Sequence, residues 1–363
     1  MTNRINQLYT LMQASGMSTL LITEPKHVYY FTGFACNPHE RFLGLIISTE
    51  QEPVLIVPAL DAEAASQESS VKRIATHTDT DNPYAILKQH LPASIHALGI
   101  EKEHLSVIRF EALSAVVQAN AYIDAGDQLR SMRMRKSADE IARMKEAARL
   151  VEAALHTVVS QVKVGVTEIE LVAELEYQMK KLGADGPSFD TMVLAGEKSA
   201  LPHGNPGTRK VQANELLLFD LGVYANGYAS DITRTFAVGD IDDQLKEIYN
   251  TTLQANLAAI AAVRPGVTYA SIDRAARQVI EDQGYGQYFM HRLGHGLGMD
   301  VHEYPGVHAN NEDLLQEGVV FTIEPGIYLP NRGGVRIEDD VVVTADGIEI
   351  LTTYPKELTI IGG

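Results

Sequence analysis

Four carboxylates and one histidine carry the clearest chemical signal in the sequence. In Leu216-Leu217-Leu218-Phe219-Asp220-Leu221 an acid interrupts an apolar run, and a second acid, Asp231, follows an Asn226-Gly227 pair. Asn-Gly is a strong signal for a two-residue hairpin turn, because both central positions need positive φ. A turn at that pair sets Asp220 opposite Thr233. Asp231 lies two residues before Thr233 and points the same way, so Asp220 and Asp231 are diagonal neighbours on one face. Like charges this close are unfavourable without a cation between them. Phe321-Thr322-Ile323-Glu324 and Val335-Arg336-Ile337-Glu338 repeat the arrangement around a Pro/Gly/Asn-rich turn at residues 325 to 334. Any one of these acids alone would be an ordinary turn or cap residue. Together the two pairs carry the charge that two divalent cations balance. His295, in Gly294-His295-Gly296, completes one shell, and its flanking glycines permit close backbone approach. Oxygen-rich ligation with one imidazole favours manganese, cobalt, iron or zinc over copper or a thiolate metal. Asp339 and Asp340 are expected to face solvent or to support Glu338.

These residues need a scaffold that brings two distant stretches together, and an internal repeat supplies one. Val162-Lys163-Val164-Gly165-Val166-Thr167 recurs as Val263-Arg264-Pro265-Gly266-Val267-Thr268. Each copy follows a long helix (138 to 161, and about 243 to 262) and precedes a second one, with Thr167 or Thr268 as N-cap. Ser137 and Glu140 form a capping box at the start of the first helix. Its apolar face is Ile141, Met144, Ala148, Val151, Leu155 and Val158. Strand-like runs follow each helix pair, so the C-terminal region is expected to be α+β, built from two similar helix-helix-sheet halves. If the halves pack about a pseudo-twofold axis, the four carboxylates converge.

Ahead of this region, Leu20-Leu21-Ile22, residues 43 to 47 and Val54-Leu55-Ile56-Val57 read as strands. Residues 3 to 15 and 110 to 121 have helical spacing, which together predict a smaller α/β domain. The composition shifts at the basic stretch Leu129 to Lys136. A length of 363 residues with 45% hydrophobic content supports two cores. The net charge of −17 argues against nucleic acid and anionic membranes as partners. The one cysteine, Cys36, precludes an internal disulfide, and no apolar run reaches the roughly 20 residues of a membrane span. The start MTNRINQLYT lacks the apolar core of a secretory signal, so the expected location is the cytoplasm.

The ligand pattern, together with Tyr29-Tyr30-Phe31-Thr32-Gly33-Phe34, resembles the peptidase family whose C-terminal domain has the pita-bread fold. That family comprises methionine aminopeptidases, aminopeptidase P, prolidase (Xaa-Pro dipeptidase) and the metal-free amidinohydrolase creatinase. The resemblance covers essentially the whole chain, and the N-terminal domain aligns it with the creatinase/prolidase branch. It implies a creatinase/prolidase-type N-terminal domain at residues 1–128 and a pita-bread metallopeptidase domain at 129–363. It also implies two divalent metals, manganese first with cobalt, zinc or iron as alternatives. Asp231 and Glu338 would bridge them, Asp220 would hold one, and His295 with Glu324 the other. All five are present, which argues against the metal-free creatinase activity. Further matches are His203 in Pro202-His203-Gly204, His302 seven residues after His295, His291 four before it, and Arg336 two before Glu338. One position departs from the family: many prolidases have an arginine where this chain has Gly306, and it grips the carboxylate of a dipeptide. Arg292, Arg332 or a residue of a partner subunit would have to replace it.

The resemblance implies hydrolysis of X-Pro bonds in short proline-containing peptides by a hydroxide held between the metals. Glu324 would shuttle its proton, His302 would stabilise the oxyanion, and His203 would bind the scissile amide or the leaving group. His291 and Arg336 would line the substrate site, with Arg336 orienting Glu338 and neighbouring groups. An X-Pro bond has no amide hydrogen, so selection rests on an apolar ring pocket and an entrance closed by the N-terminal domain. Alternatives are an aminopeptidase P-like activity on longer peptides and a non-catalytic pita-bread binding protein, whose mark would be a lost ligand. Relatives imply a homodimer.

Overall fold

The computed structural model describes residues 2–362; Met1 and Gly363, the outer limits of the two expected domains, lie outside the described residues. The chain forms two compact units that divide between Met132 and Arg133. The helix Gly126–Met134 runs through the expected boundary at 128/129, so the chain changes unit near the end of that helix.

The first unit is a six-stranded mixed sheet with strand order Arg73–His77, Val54–Pro58, Gly44–Ser48, Thr19–Ile22, Ile95–Ile100, Ala119–Asp124. The strands read from the sequence at 20–22, 43–47 and 54–57 form its middle and are fully buried. The helix expected over 110–121 is observed at Val107–Val116. Its last residues instead begin the strand Ala119–Asp124, which pairs in parallel with Ile95–Ile100. Two consecutive β-branched residues, Val116 and Val117, favour this change, and Val117 is already extended at φ −111° and ψ 118°.

In the second unit the duplicated hexapeptides form the same turn twice. Gly165 and Gly266 adopt φ of 96° and 82°, a conformation that strains any residue with a Cβ. Gly165 N–H donates to Val211 at 2.8 Å and Gly266 N–H to Leu315 at 2.9 Å. The return bonds, Val211 to Val166 and Leu315 to Val267, are both 2.8 Å. Helices Ala138–Val159 and Glu168–Lys181 serve the first half, Asp243–Ala262 and Tyr269–Asp282 the second. The capping box of Ser137 and Glu140 is present, and Thr167 and Thr268 both cap. Each helix pair buries an apolar stripe on its own sheet. Val151, Leu155, Leu175, Phe219 and Phe236 form one core, and Ile248, Ile272, Phe321, Ile323 and Val341 another. Burying such a side chain contributes about 1.5–3 kcal/mol.

The first sheet runs Ile360–Ile361, Ile232–Val238, Glu215–Leu221, Met192–Ala195. The second runs Glu303–Val307, Gly294–Gly296, Val320–Ile323, Asp339–Val343, Ile348–Ile350. The halves join where Glu338 N–H donates to the Thr233 carbonyl at 3.1 Å and Thr235 Oγ1 donates to the Arg336 carbonyl at 3.0 Å. This junction brings the acids of one half beside those of the other.

Candidate metal centre and active site

Every candidate ligand lies at or beside a strand end, where the ladder gives way to a cavity. Asn226 and Gly227 adopt φ of 52° and 77°, the positive pair a tight hairpin needs, and the resulting register pairs Asp220 with Thr233. Asp231 directly precedes the Ile232–Val238 strand. In the second half Ile323 pairs with Asp339, which sets Glu324 directly opposite Glu338 and not diagonally as in the first half. The expected loop over 325–334 is largely a tight hairpin of Gly326–Leu329 with Gly333–Arg336, its bend at Asn331 with φ 60°. His295 sits in a strand squeezed between two neighbours: a Cβ at Gly294 would collide with the Thr322 carbonyl, and one at Gly296 with that of Tyr304.

Asp231, His295 and Glu338 each present a ligand atom within 4.8 Å of the others, and all three are buried. His295 Nε2 lies 3.4 Å from Glu324 Oε1 and 3.7 Å from Asp231 Oδ2. Its Nδ1 is 3.1 Å from the Gly296 carbonyl, which can only accept, so Nδ1 carries the proton and Nε2 offers its lone pair. Burial and the adjacent His302 push the His295 imidazole down to about 3, which keeps it neutral and able to ligate. Glu338 accepts a 2.6 Å bond from Thr233 Oγ1. Asp220 faces the same cavity, and its Oδ2 is paired with Arg336 Nη2.

The carboxylates are electrostatically incompatible as they stand. Burial, with Glu338 and Asp220 nearby, pushes Asp231 well above the usual carboxylate range, and burial with Glu324 and Asp220 does the same to Glu338. Burial raises Glu324 to about 7, with Arg336 pulling the other way. Asp231 Oδ1 is buried without a hydrogen-bond partner. An orphaned carboxylate oxygen beside a neutral imidazole nitrogen and further acids is a donor set that fits a divalent cation.

The remaining expected residues, His203, His291, His302 and Arg336, line the same cavity of about 920 Å³. The His302 ring stands edge-on to His295, with centroids 4.1 Å apart. Burial, then the Arg292 charge, lowers the His302 imidazole. Burial brings His291 down to about 4. The Arg336 guanidinium donates to three neighbours. Its Nε donates to Thr233 Oγ1 at 3.1 Å, Nη1 to Tyr328 Oη at 2.9 Å, and Nη2 to Asp220, so it touches Asp220 directly and reaches Glu338 only through Thr233. Tyr328 escaped the sequence reading. Its hydroxyl also lies 2.9 Å from His291 Nε2, joining His291 to Arg336. Its position inside the presumed loop gave no strand signal, although it stands only four residues after Glu324. Asp339 and Asp340 do not face solvent, being 0% and 1% exposed: Asp340 Oδ2 accepts from Asp231 N–H at 2.9 Å, and Asp339 pairs with Arg234 at 2.8 Å.

Of the cations considered for substrate, Arg332 pairs with Asp242 at 2.7 Å. Arg292 lines the cavity and is exposed, and among the described residues it has no ion-pair or hydrogen-bond partner for its side chain. A Cβ at Gly306 would lie 3.7 Å from Arg292 Nη1 and 3.0 Å from His308 Cδ2.

A duplicated α+β domain with a carboxylate-rich candidate cation site beside three histidines has the parts of a metal-dependent hydrolase. Residues 142–345 match Metallopeptidase family M24 and residues 4–135 match the Creatinase/Prolidase N-terminal domain. The chain belongs to metallopeptidase family M24, with the pita-bread C-terminal domain and the creatinase-type N-terminal domain. It is 45% identical over 362 residues to YkvY of Bacillus subtilis (strain 168), spanning 99% of this chain and 100% of that protein. It superposes on the Xaa-Pro dipeptidase from Bacillus anthracis with a TM-score of 0.94 at 35% identity, covering 99% of both chains. The X-Pro aminopeptidase from Thermotoga maritima MSB8 gives 0.87 at 35% identity, covering 95% of this chain and 98% of that one. Among the described residues no helix is long and apolar enough to cross a membrane.

Proposed function

We propose that this chain is an Xaa-Pro dipeptidase, with residues 129–363 as its catalytic domain. Asp220, Asp231, His295, Glu324 and Glu338 hold the cations. Divalent cations held there, manganese in this proposal with cobalt, zinc and iron as alternatives, supply a Lewis acid and make bound water acidic near neutral pH. Glu324 accepts a proton from the attacking water. The water oxygen bonds to the scissile carbonyl carbon, the C–N bond breaks, and Glu324 returns the proton to the proline nitrogen, which has none of its own. His302 donates to the developing oxyanion, and His203 binds the scissile amide or the leaving group. Arg336 and Tyr328 hold Asp220 and His291 in place along the substrate wall. The dipeptide preference rests on one observation: the Arg292 guanidinium beside Gly306, without a partner among the described residues and placed to receive a free carboxylate. The volume of about 920 Å³ favours a second reading, an aminopeptidase acting on longer X-Pro peptides. The net charge of −17 supports a protein without nucleic-acid or anionic membrane partners, and we take it to act as a cytoplasmic homodimer.

Hydrolysis of Ala-Pro, Ala-Pro amide and an X-Pro-containing tripeptide with Mn²⁺ tests this reading. Arg292→Leu should lower kcat/KM for Ala-Pro roughly 10- to 100-fold, the worth of a charge-assisted hydrogen bond, and leave the amide nearly unchanged. Equal losses on both substrates would refute the carboxylate role. No cleavage with Mn²⁺, Co²⁺ or Zn²⁺ would refute the peptidase, and cleavage of the tripeptide alone would establish the aminopeptidase.

A further inference from the structure

His295, within the strand Gly294–Gly296, and His302, directly before the strand Glu303–Val307, flank one short loop. The ladder slips between His295 and Gly296, so that His295 pairs with Gly306 but Gly296 pairs with Glu303. The loop therefore departs from regular pairing just where both imidazoles need fixed positions. Among the described residues no hydrogen bond holds the His302 ring itself, so its place rests on its edge-on contact with His295 and on its backbone.

The next residue holds that backbone. The Glu303 side chain points inward and is 6% exposed. Oε1 accepts from the Asp300 N–H at 3.0 Å and from Arg133 Nη2, and Oε2 lies 3.0 Å from Lys136 Nζ. Arg133 also bonds Asp300 Oδ2 at 2.6 Å, so one guanidinium grips both ends of the 300–303 bend. Gly298 leaves room for the carboxylate: a Cβ there would lie 2.7 Å from Glu303 Oε2. The Lys136 side chain is 1% exposed and that of Arg133 8%. Buried ion clusters of this kind are poor sources of net stability compared with apolar packing, but they impose a definite geometry. Apolar residues would fill this space equally well if stability alone were required.

We propose that Glu303 is a positioning residue for His302, anchored by Arg133 and Lys136, and that this buried cluster sets the imidazole's pose toward the substrate carbonyl. The inference rests on the proposed role of His302 in X-Pro hydrolysis. Its test is a double-mutant cycle in the full-length, Mn²⁺-loaded protein, using Glu303→Gln, which keeps the shape and removes the charge, and His302→Ala. Glu303→Gln should lower kcat on Ala-Pro about tenfold or more, with KM and Mn²⁺ affinity by calorimetric titration each within about twofold, as expected for a group acting only in the transition state. The same substitution in the His302→Ala background should change kcat less than about twofold. In the Zn²⁺-loaded protein, whose metal is diamagnetic, the His302 ring-proton NMR signal, assigned by its loss in His302→Ala, should shift or broaden in Glu303→Gln. Should Glu303→Gln not fold, Lys136→Met, which keeps the Arg133 contact, carries the same cycle with a smaller loss. Equal losses in both backgrounds, or a wild-type kcat for a folded variant, overturn the proposal. A wild-type kcat for His302→Ala alone overturns the catalytic reading of His302 instead, and the proposal with it.

Discussion

Arg234 is a demanding test of how the two halves are held in register. Its side chain is 1% exposed, yet its guanidinium has a full set of acceptors. It donates to the Thr233 carbonyl at 2.9 Å, to Tyr354 at 2.8 Å, to Asp339 Oδ1 at 2.8 Å and to the Glu338 carbonyl. It therefore ties the strand after Asp231 to the backbone that carries Glu338. Arg234→Met keeps the unbranched stem and removes every donor. Asp339 retains Lys356 at 2.7 Å and Asn256 at 3.1 Å, so its charge is only partly stranded. Breaking one side of a buried pair costs about 3–5 kcal/mol, and the surviving partners point to the lower end, about 3 kcal/mol. Against a total of about 5–15 kcal/mol this is a large share. For a unit of this size it corresponds to a fall in Tm of roughly 6–12 °C. Thermal unfolding of the metal-free protein by circular dichroism measures it. Because the residues share one network, Arg234→Met with Asp339→Asn should cost less than the two singles combined, by about 0.5–3 kcal/mol. Mn²⁺ affinity should also fall, since the Glu338 carbonyl loses its tether. A variant melting within about 2 °C of wild type, or strict additivity of the pair, would refute the assignment of Arg234 as the tie between halves.

The Glu303 cluster makes a prediction in pH. Burial alone would raise this carboxyl, but Lys136 and Arg133 outweigh it and hold Glu303 at about 2, against an ordinary 4.5. The folded value is the lower one, so the stability it contributes is present above about pH 4.5 and lost as pH falls toward 2. Urea midpoints between pH 6 and 2.5 should drop more steeply for wild type than for Glu303→Gln, and parallel curves would contradict this. Metal removal gives the other prediction. Adding Mn²⁺ to chelator-treated protein at a hundred times its Kd should stabilise it by about 2.7 kcal/mol. Asp231→Asn should abolish most of that gain, because Asp231 supplies the orphaned oxygen, and scanning calorimetry that finds the full gain in the variant would exclude Asp231 as a ligand.

The parts of this molecule legible in its sequence are those governed by short-range rules. Asn226-Gly227 determines a turn by its own φ requirements, and from that turn the pairing of Asp220 with Thr233 follows by counting. The repeated Gly-Val-Thr turn is legible for the same reason, since its glycine and its cap act within a few residues. Tyr328, Asp339, Asp340 and the anchors of Glu303 are of another kind. Arg133 meets Asp300 and Glu303 across 167 and 170 residues, a separation that leaves no periodicity to detect. In the sequence Arg133 and Lys136 are simply part of a basic stretch where the composition changes. In the fold their charge is buried, and a buried charge must find its partner wherever the topology brings one near. The same requirement is met at Asp339, expected to face solvent or to support Glu338, by Arg234 and Lys356, while Asp340 is buried with its Oδ2 on the Asp231 N–H. Local rules thus locate the candidate ligands, while the need to satisfy buried charge determines what holds them. Substitutions in those distant partners should therefore loosen the site even though every candidate ligand is still present in the sequence.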